Sequence, residues 1–382
     1  MKGNAEFDIV VYGATGFTGR LVAEYLNKTY GVGKSVKWAM AGRSAAKLAE
    51  VRDEMGVPKD IALIVADGSD VASLKAMCAR AKAIVTTVGP YQLYGNELVA
   101  VCAETGTDYL DLTGEPNWMA AMIGKHEEAA KKSGARICFS CGFDSIPFEL
   151  GVFFVEKLAK EKLGHTVARV KGRVRGMDGG LSGGTAASGA ATMAAIQKDP
   201  SLIALMVSPF ALTPGFTGPE QPNGNEKVHD ADVGSDVAPF MMAAINTKNV
   251  HRSNMLQGFP YGRDFQYDEM VMVQPGSRDF EMPTGASAPK PGEGPSKEER
   301  ERGFYDVVFI GIDKDGRKVQ ASVKGDMDPG YGSTSKILAE AGICLVQDCA
   351  DVPGGIWVPG AAMGQKLIDR LHAHAGVTFQ AE

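Results

Sequence analysis

The feature that most constrains this chain is a strand that runs directly into a glycine-rich turn and then a helix. The apolar run Phe7–Tyr12 is followed by Gly13, Gly16 and Gly19, and the helical pattern of Thr18–Leu26 begins within that turn. Such glycines permit a tight turn and close approach of a pyrophosphate, which the N–H groups of the helix N-terminus then bind. The pattern predicts a dinucleotide-binding loop. The residues expected to contact the dinucleotide are Gly13, Thr15, Gly16, Phe17, Thr18 and Gly19.

The first 140 residues alternate short apolar runs with amphipathic stretches, which indicates a doubly wound parallel sheet covered on both faces. The predicted strands are Phe7–Tyr12, Val36–Ala41, Ile61–Ala66, Ala83–Thr87, Tyr109–Leu112 and Ala135–Ser140. The predicted helices are Thr18–Leu26, Ala45–Glu54, Val71–Ala79, Gly95–Thr105 and Trp118–Ser133.

The rest of the chain is more varied. Long loops are expected over residues 208–236 and 274–295, and Ser296 and Glu299 form a capping-box pattern that should start a short helix. The turn at 313–316 predicts a hairpin. The remaining predicted elements are strands Val167–Arg175, Phe304–Ile312 and Lys318–Lys324, and helices Thr185–Gln197, Thr334–Leu345 and Ala361–His374.

Composition excludes several classes of protein. The balance of 40 Lys and Arg against 46 Asp and Glu argues against a nucleic-acid binder. Six cysteines in 382 residues do not make a disulfide scaffold, and with no signal peptide before Phe7 a cytoplasmic protein is expected. The uncharged stretches 179–197 and 200–219 are too weakly apolar or too interrupted by proline to span a bilayer. They are expected either to line an apolar pocket or to lie against a membrane surface.

The end of the second strand indicates which dinucleotide is bound. Binders of NAD usually place an acidic residue there for the ribose hydroxyls, whereas this chain has Arg43, followed by Ser44. A guanidinium matches a phosphate in charge and geometry. We therefore expect Arg43 and Ser44, with Lys47 as a further candidate, to hold the 2′-phosphate of NADP(H).

The ends of the next two strands should also face the dinucleotide. Asp67 is expected either to contact the adenine amino group or to cap the following helix together with Ser69 and Asp70. Ligands of doubly wound sheets bind outside the carboxyl ends of the strands, so Val88, Gly89 and Pro90 are expected along the nicotinamide half.

Several motifs taken together resemble the saccharopine-dehydrogenase-like oxidoreductases, and in particular their trans-acting enoyl reductase branch. The motifs are spread over nearly the whole chain. They are GATGFTGRLV (13–22), AGR (41–43), VGPYQLYG (88–95), YLDLTGE (109–115), GFDSIP (142–147), SGGT (182–185), PFMMA (239–243), RSN (252–254), PGEGPS (291–296) and GGIWVPGAAMG (354–364).

The resemblance implies an α/β fold in three parts. A Rossmann domain over 1–145 is followed by a second α/β domain with a mixed sheet over 146–330, and helices of 331–382 return to the first domain. It further implies NADP(H), reduction of a C=C bond in a lipid, polyketide or isoprenoid-like substrate, and a homodimer as a family-level expectation. Relatives that act on amino-acid C–N bonds need basic residues for carboxylates, and residues 176–197 contain no Arg or Lys.

Candidate catalytic residues follow strands that end near the nicotinamide. Tyr91 and Tyr94 are expected either to donate a proton or to pack beneath the dinucleotide. Glu115 should either orient the substrate or cap the helix around Trp118.

Two further segments are candidates for this chemistry. Asp144 and Ser145 should either reach the cleft or cap the next helix. The free N–H groups that follow Ser182, together with the hydroxyl of Thr185, are candidates for an oxyanion or carboxylate site.

Other residue patterns bear on the substrate and on competing functions. Eight of the 17 methionines lie between Met193 and Met282, which suits either a pocket for a flexible apolar chain or ordinary core packing.

Cys138 and Cys141 lie in a predicted strand without partners at zinc spacing, so no metal is expected. A C–N dehydrogenase and a non-catalytic NADP-binding or lipid-associated protein remain alternatives to the enoyl reductase.

Overall fold

A computed structural model describes residues 5–180, 182–273, 290 and 292–382. The strands in this part of the chain are β1 (Phe7–Tyr12), β2 (Trp38–Gly42), β3 (Ala62–Val65), β4 (Ala81–Thr86), β5 (Asp108–Leu110), β6 (Arg136–Cys138), β7 (Arg169–Asp178), β8 (Val228–Asp230), β9 (Ser235–Pro239), β10 (Gln266–Met272), β11 (Phe304–Ile312), β12 (Lys318–Gly325), β13 (Gly355–Trp357) and β14 (Val377–Ala381).

The helices cover the two sheets that these strands form. They are α1 (Phe17–Tyr30), α2 (Ala45–Glu54), α3 (Val71–Arg80), α4 (Tyr91–Tyr94), α5 (Asn96–Thr105), α6 (Pro116–Ser133), α7 (Ile146–Leu163), α8 (Gly183–Lys198), α9 (Leu202–Val207), α10 (Ala243–Leu256), α11 (Lys297–Arg302), α12 (Thr334–Gln347) and α13 (Pro359–Arg370). Two π-helical turns span Pro329–Ser333 and Leu371–Ala375.

Sheet A contains seven parallel strands in the order β13-β6-β5-β4-β1-β2-β3. The interior strand β1 is apolar on both faces, and its residues Ile9, Val10 and Val11 are fully buried. Helices α3, α5 and α6 lie on one face and α1 and α12 on the other. The order reverses between β1 and β4, where doubly wound sheets bind their ligands. The predicted Rossmann sheet is therefore confirmed.

Sheet B is mixed and has the order β14-β12-β11-β7-β10-β9-β8. Among its described strand pairs, β7 and β10 are the one parallel pair. Helix α7 joins the two sheets in the chain and packs against β11 and β12. The mixed sheet confirms the expected second α/β region, whereas the boundaries at 145 and 330 stay predictions.

The end of the chain contributes to both sheets. Helix α12 packs on β1 and β4, and the three-residue strand β13 extends sheet A beside β6. In contrast, β14 pairs antiparallel with β12 in sheet B. The expected return to the first sheet is thus only part of the path, because residues 377–381 pair within the second sheet.

Local predictions based on capping and turn chemistry agree with the structure. Ser296 and Glu299 form the reciprocal capping box at the start of α11, and β11 and β12 pair antiparallel as the predicted hairpin. The segment 208–236 is not wholly a loop, because β8 and the start of β9 form an antiparallel pair within it. Most of the predicted loop 274–295 lies outside the described residues. No helix in the described part of the chain is long and apolar enough to cross a membrane.

Candidate active site

The glycine turn after β1 is closed by contacts that leave no room for side chains. Gly13 has a φ of +88°, and a Cβ on Gly19 would lie 2.2 Å from the Gly13 carbonyl oxygen. The Gly16 N–H donates to that same carbonyl at 2.9 Å. A Cβ on Gly13 would lie 2.7 Å from Val88 Cγ2, so the ends of β1 and β4 meet here. Together with the open N–H groups of the first turn of α1, this cradle fits a dinucleotide pyrophosphate.

The ends of β2 and β3 bring a free cation beside a constrained carboxylate. Arg43 is exposed and forms no ion pair within the described residues. Hydrogen bonds from Ser69 and the positive charge of Arg43 lower the pKa of Asp67. The side chain of Asp70, rather than that of Asp67, caps α3. Arg43 is therefore placed to meet an anion at this edge.

The two residues expected to assist Arg43 have partners of their own. The Ser44 hydroxyl accepts a hydrogen bond from Lys47 N at 3.3 Å and caps α2. The Lys47 ammonium pairs with Glu50 at 2.8 Å. Both roles are structural, and a phosphate contact by either residue stays a prediction.

A cavity of about 410 Å³ lies between the carboxyl edge of sheet A and helices α8 to α10. Thr18, Thr87 and Gly89 line it on the side of the glycine turn. The opposite side is lined by Met193, Met206, Met241 and Met242, together with small residues of α8. Among the described residues that line the cavity there is no Lys, Arg or His.

The structure separates the two candidate tyrosines. Tyr91 lines the cavity, but its phenol oxygen donates to Thr86 O at 3.3 Å and accepts from Leu112 N at 3.1 Å. Its ring packs against Trp118, with the centroids 5.6 Å apart. Tyr94 is 56% exposed and is not among the cavity-lining residues. The Tyr91 hydroxyl is thus held by backbone groups, and packing of its ring beneath the dinucleotide stays a prediction.

Glu115 holds a helix other than the one expected. Its buried carboxylate accepts from the N–H groups of Tyr91 at 2.9 Å and Gln92 at 2.8 Å, which are the first residues of α4. It also accepts from Ser188 Oγ at 3.0 Å. Its side chain makes no capping bond to α6, so the expected cap of the helix around Trp118 is wrong. Glu115 instead joins the end of β5 to α4 and α8.

The adjacent residues Asp144 and Ser145 point in different directions. Asp144 lines the cavity, and burial raises its pKa to about 6. The hydroxyl of Ser145 is fully buried and donates to Asn246 Oδ1 at 3.3 Å while accepting from Asn249 Nδ2 at 2.8 Å. Although Ser145 stands at the N-cap of α7, its side chain does not cap that helix. It connects α7 to α10.

The start of α8 differs from the expected oxyanion site. The Gly183 N–H donates to Glu293 O and the Gly184 N–H to Ser182 Oγ, both at 3.2 Å, so these groups are already engaged. The Thr185 hydroxyl remains on the cavity wall and is hydrogen-bonded at 2.8 Å to the phenol oxygen of Tyr331.

Tyr331 is a cavity residue that sequence reasoning did not identify. It lies in the π-helical turn 329–333 before α12, and its phenol oxygen accepts a hydrogen bond from Ser182 N. The glycine- and proline-rich run around it, DPGYGS (328–333), is the one local indication of a loop that approaches a ligand.

Comparisons with known proteins agree with this geometry. Residues 9–138 match the family described as saccharopine dehydrogenase NADP binding domain. The fold is similar to that of the apo, histidine-tagged saccharopine dehydrogenase (L-Glu forming) of Saccharomyces cerevisiae, with a TM-score of 0.57, 10% identity and coverage of 98% of this chain and 99% of the other. It is also similar to homospermidine synthase of Legionella pneumophila in complex with NAD, with a TM-score of 0.52, 11% identity and coverage of 99% and 92%.

Sequence relatives are closer. The protein Rv2449c of Mycobacterium tuberculosis is 38% identical, and the alignment covers 98% of this chain and 97% of the relative. The trans-acting enoyl reductases of Mycobacterium leprae and Mycobacterium ulcerans are 35% and 36% identical over 98% of this chain and 97% and 98% of their own lengths. The protein is thus an NADP-dependent oxidoreductase with a saccharopine-dehydrogenase-like fold. Within that class, the chain belongs to the trans-acting enoyl reductase family.

Proposed function

We propose that this protein reduces the C=C bond of an apolar enoyl substrate with NADPH. The observation that carries the proposal is the chemistry of the cavity wall. Four methionines line it, and the described lining residues include no Lys, Arg or His. A flexible thioether side chain adapts to an irregular apolar chain, whereas a substrate with free carboxylates needs cationic partners.

The same wall disfavours a C–N dehydrogenase that acts on amino acids. Among the described lining residues, the acidic side chains are those of Glu115 and Asp144. Neither attracts a substrate carboxylate, and Glu115 is already committed to the N-terminus of α4. The fold shared with saccharopine dehydrogenase therefore supports a common dinucleotide site rather than a common substrate.

For the dinucleotide, the proposal assigns binding roles to residues at the carboxyl edge of sheet A. Gly13, Gly16 and Gly19 admit the pyrophosphate, and Arg43 holds the 2′-phosphate of NADPH. Thr87 and Gly89 line the cavity next to this turn, where the nicotinamide half is expected. When bound, the nicotinamide supplies the hydride for the reduction.

The test is NADPH oxidation by the purified protein with three groups of substrates. These are trans-2-enoyl coenzyme A thioesters of short and long chains, isoprenoid enals, and lysine with 2-oxoglutarate. Turnover is expected with the enoyl compounds and should improve with chain length. Activity restricted to the lysine pair would instead establish the C–N reaction. Tight NADPH binding without turnover on any substrate would support a non-catalytic protein.

A further inference from the structure

Tyr331 is held in a fixed position between the glycine turn and the cavity. Its side chain is 4% exposed, and the ring meets Phe17 edge-on with the centroids 5.2 Å apart. The Asp328 carboxylate accepts from the N–H groups of Tyr331 and Gly332, which anchors the turn that carries the ring. Tyr331 therefore lines the cavity from a backbone segment that is itself anchored, and its phenol oxygen contacts the hydroxyl of Thr185, another lining residue.

The hydrogen bonds of the Tyr331 phenol oxygen allow its proton to be transferred. The Ser182 N–H is a fixed donor to it, while its contact with Thr185 Oγ1 at 2.8 Å is between two hydroxyls that can each donate. The Tyr91 hydroxyl instead faces the Thr86 carbonyl, which can only accept. Of the two tyrosines among the described lining residues, Tyr331 is the one whose proton can be redirected to a ligand.

We propose that Tyr331 is the proton donor of the enoyl reduction, with Thr185 and Ser182 positioning its phenol oxygen. The inference rests on the proposed function. In this step the phenol O–H bond breaks and a C–H bond forms at the α-carbon of the substrate, whose enolate electron pair takes the proton. A phenolate remains and is reprotonated by solvent through the Thr185 hydroxyl. Both electrons of the reduction come with the hydride that NADPH supplies to the β-carbon.

The surroundings suit a phenol that is protonated at rest and stabilised after it donates. Burial raises the pKa of Tyr331, and the negative charge of Asp144, which also lines the cavity, acts in the same direction. The Ser182 N–H and the Thr185 hydroxyl oppose this effect by hydrogen-bonding to the oxygen, and they become stronger partners of a phenolate. Because Ser182 is the N-cap of α8, the positive end of that helix also faces the oxygen.

The experiment compares Tyr331→Phe with Tyr30→Phe, an identical change at the end of α1 and outside the cavity lining, where the phenol oxygen donates to Glu340 at 2.6 Å. With an enoyl thioester as substrate, Tyr331→Phe should lower kcat by about 10²- to 10⁴-fold, the usual contribution of a general acid. Its Kd for NADPH, from fluorescence titration, should not change. Tyr30→Phe should retain the wild-type kcat.

A second variant applies if Tyr331→Phe does not fold. Tyr331→3-fluorotyrosine keeps the ring and its hydrogen bonds but lowers the pKa of the phenol, so the basic limb of the kcat profile should move to lower pH. Asp144, in the cavity, and Asp328, on the same turn, are unchanged by that replacement. A wild-type kcat in Tyr331→Phe, or an unmoved basic limb, would overturn the inference alone. A wild-type enzyme inactive on every enoyl compound would overturn both this inference and the proposed function.

Discussion

The two sides of the cavity are built in opposite ways. The cofactor wall, residues 13–19 and 87–90, approaches the ligand with backbone, and added Cβ atoms on Gly13 and Gly19 would overlap neighbouring atoms. The substrate wall consists of α8, α9 and residues 241–245. In α8 only Gly183 is buried, and α9 buries no residue.

This difference indicates what each wall recognises. A pyrophosphate is the same in every turnover, so a rigid, close-packed turn can be matched to it. An acyl or isoprenoid chain varies in length and shape, and half-exposed side chains such as Met193, which is 58% exposed, can repack around it. We therefore expect changes of similar size to have unequal effects on the two walls.

The largest effect is expected from Gly19→Ala on the cofactor wall. Its methyl group would lie 2.2 Å from the Gly13 carbonyl oxygen, so the turn must open. The affinity for NADPH should fall by about 100-fold or more, which is roughly 3 kcal/mol. Fluorescence titration measures the loss, and thermal denaturation tests whether the fold is retained.

Gly124→Ala provides the matched control. Gly124 lies within α6, is exposed, and has no atom within 4 Å of an added Cβ. This change should leave NADPH binding intact and stabilise the helix by about 0.5–1 kcal/mol. An equal loss of NADPH affinity in Gly19→Ala and Gly124→Ala would mean that the cofactor wall is no more constrained than an ordinary helix surface.

A smaller and more selective effect is expected from Arg43→Ala. Loss of a guanidinium that binds the 2′-phosphate should weaken NADPH by about 10- to 100-fold, since charged hydrogen bonds contribute about 1.5–3 kcal/mol. The affinity for NADH should hardly change. Arg80→Ala is the control, because Arg80 pairs with Glu6 at the opposite end of β4. If Arg43→Ala lost affinity for NADPH and NADH equally, Arg43 would not bind the 2′-phosphate.

The sequence predicted the cofactor wall better than the substrate wall for a physical reason. The turn at Gly13–Gly19 and the capping box at Ser296 depend on residues within a few positions of each other. The placement of Arg43 and Gly89 at one edge follows from the rule that parallel strands end together. Such local and topological rules act on any doubly wound sheet.

The remaining site contacts join residues far apart in the chain. Tyr331 reaches Ser182 across 149 positions, and Glu115 reaches the first turn of α4 across 24. Glu115 binds the N-terminus of α4, a helix that precedes it in the chain, and no periodic pattern in the sequence marks such a contact. The strand β13 has only three residues and is defined by pairing with β6 rather than by its own pattern. These features depend on tertiary packing, which local patterns do not encode.

The smallest effect is expected on the substrate wall, from Met193→Ala. Met193 lines the cavity but is 58% exposed, so its loss should change stability little and remove about 1 kcal/mol of contact with a long chain. The kcat/KM for a long-chain enoyl thioester should fall roughly fivefold, and that for a short one by less than about twofold. Met177→Ala, a partly exposed methionine on β7 outside the cavity lining, should change neither value. An equal fall in kcat/KM for short and long substrates would show that Met193 stabilises the fold of the substrate wall and does not contact the substrate chain.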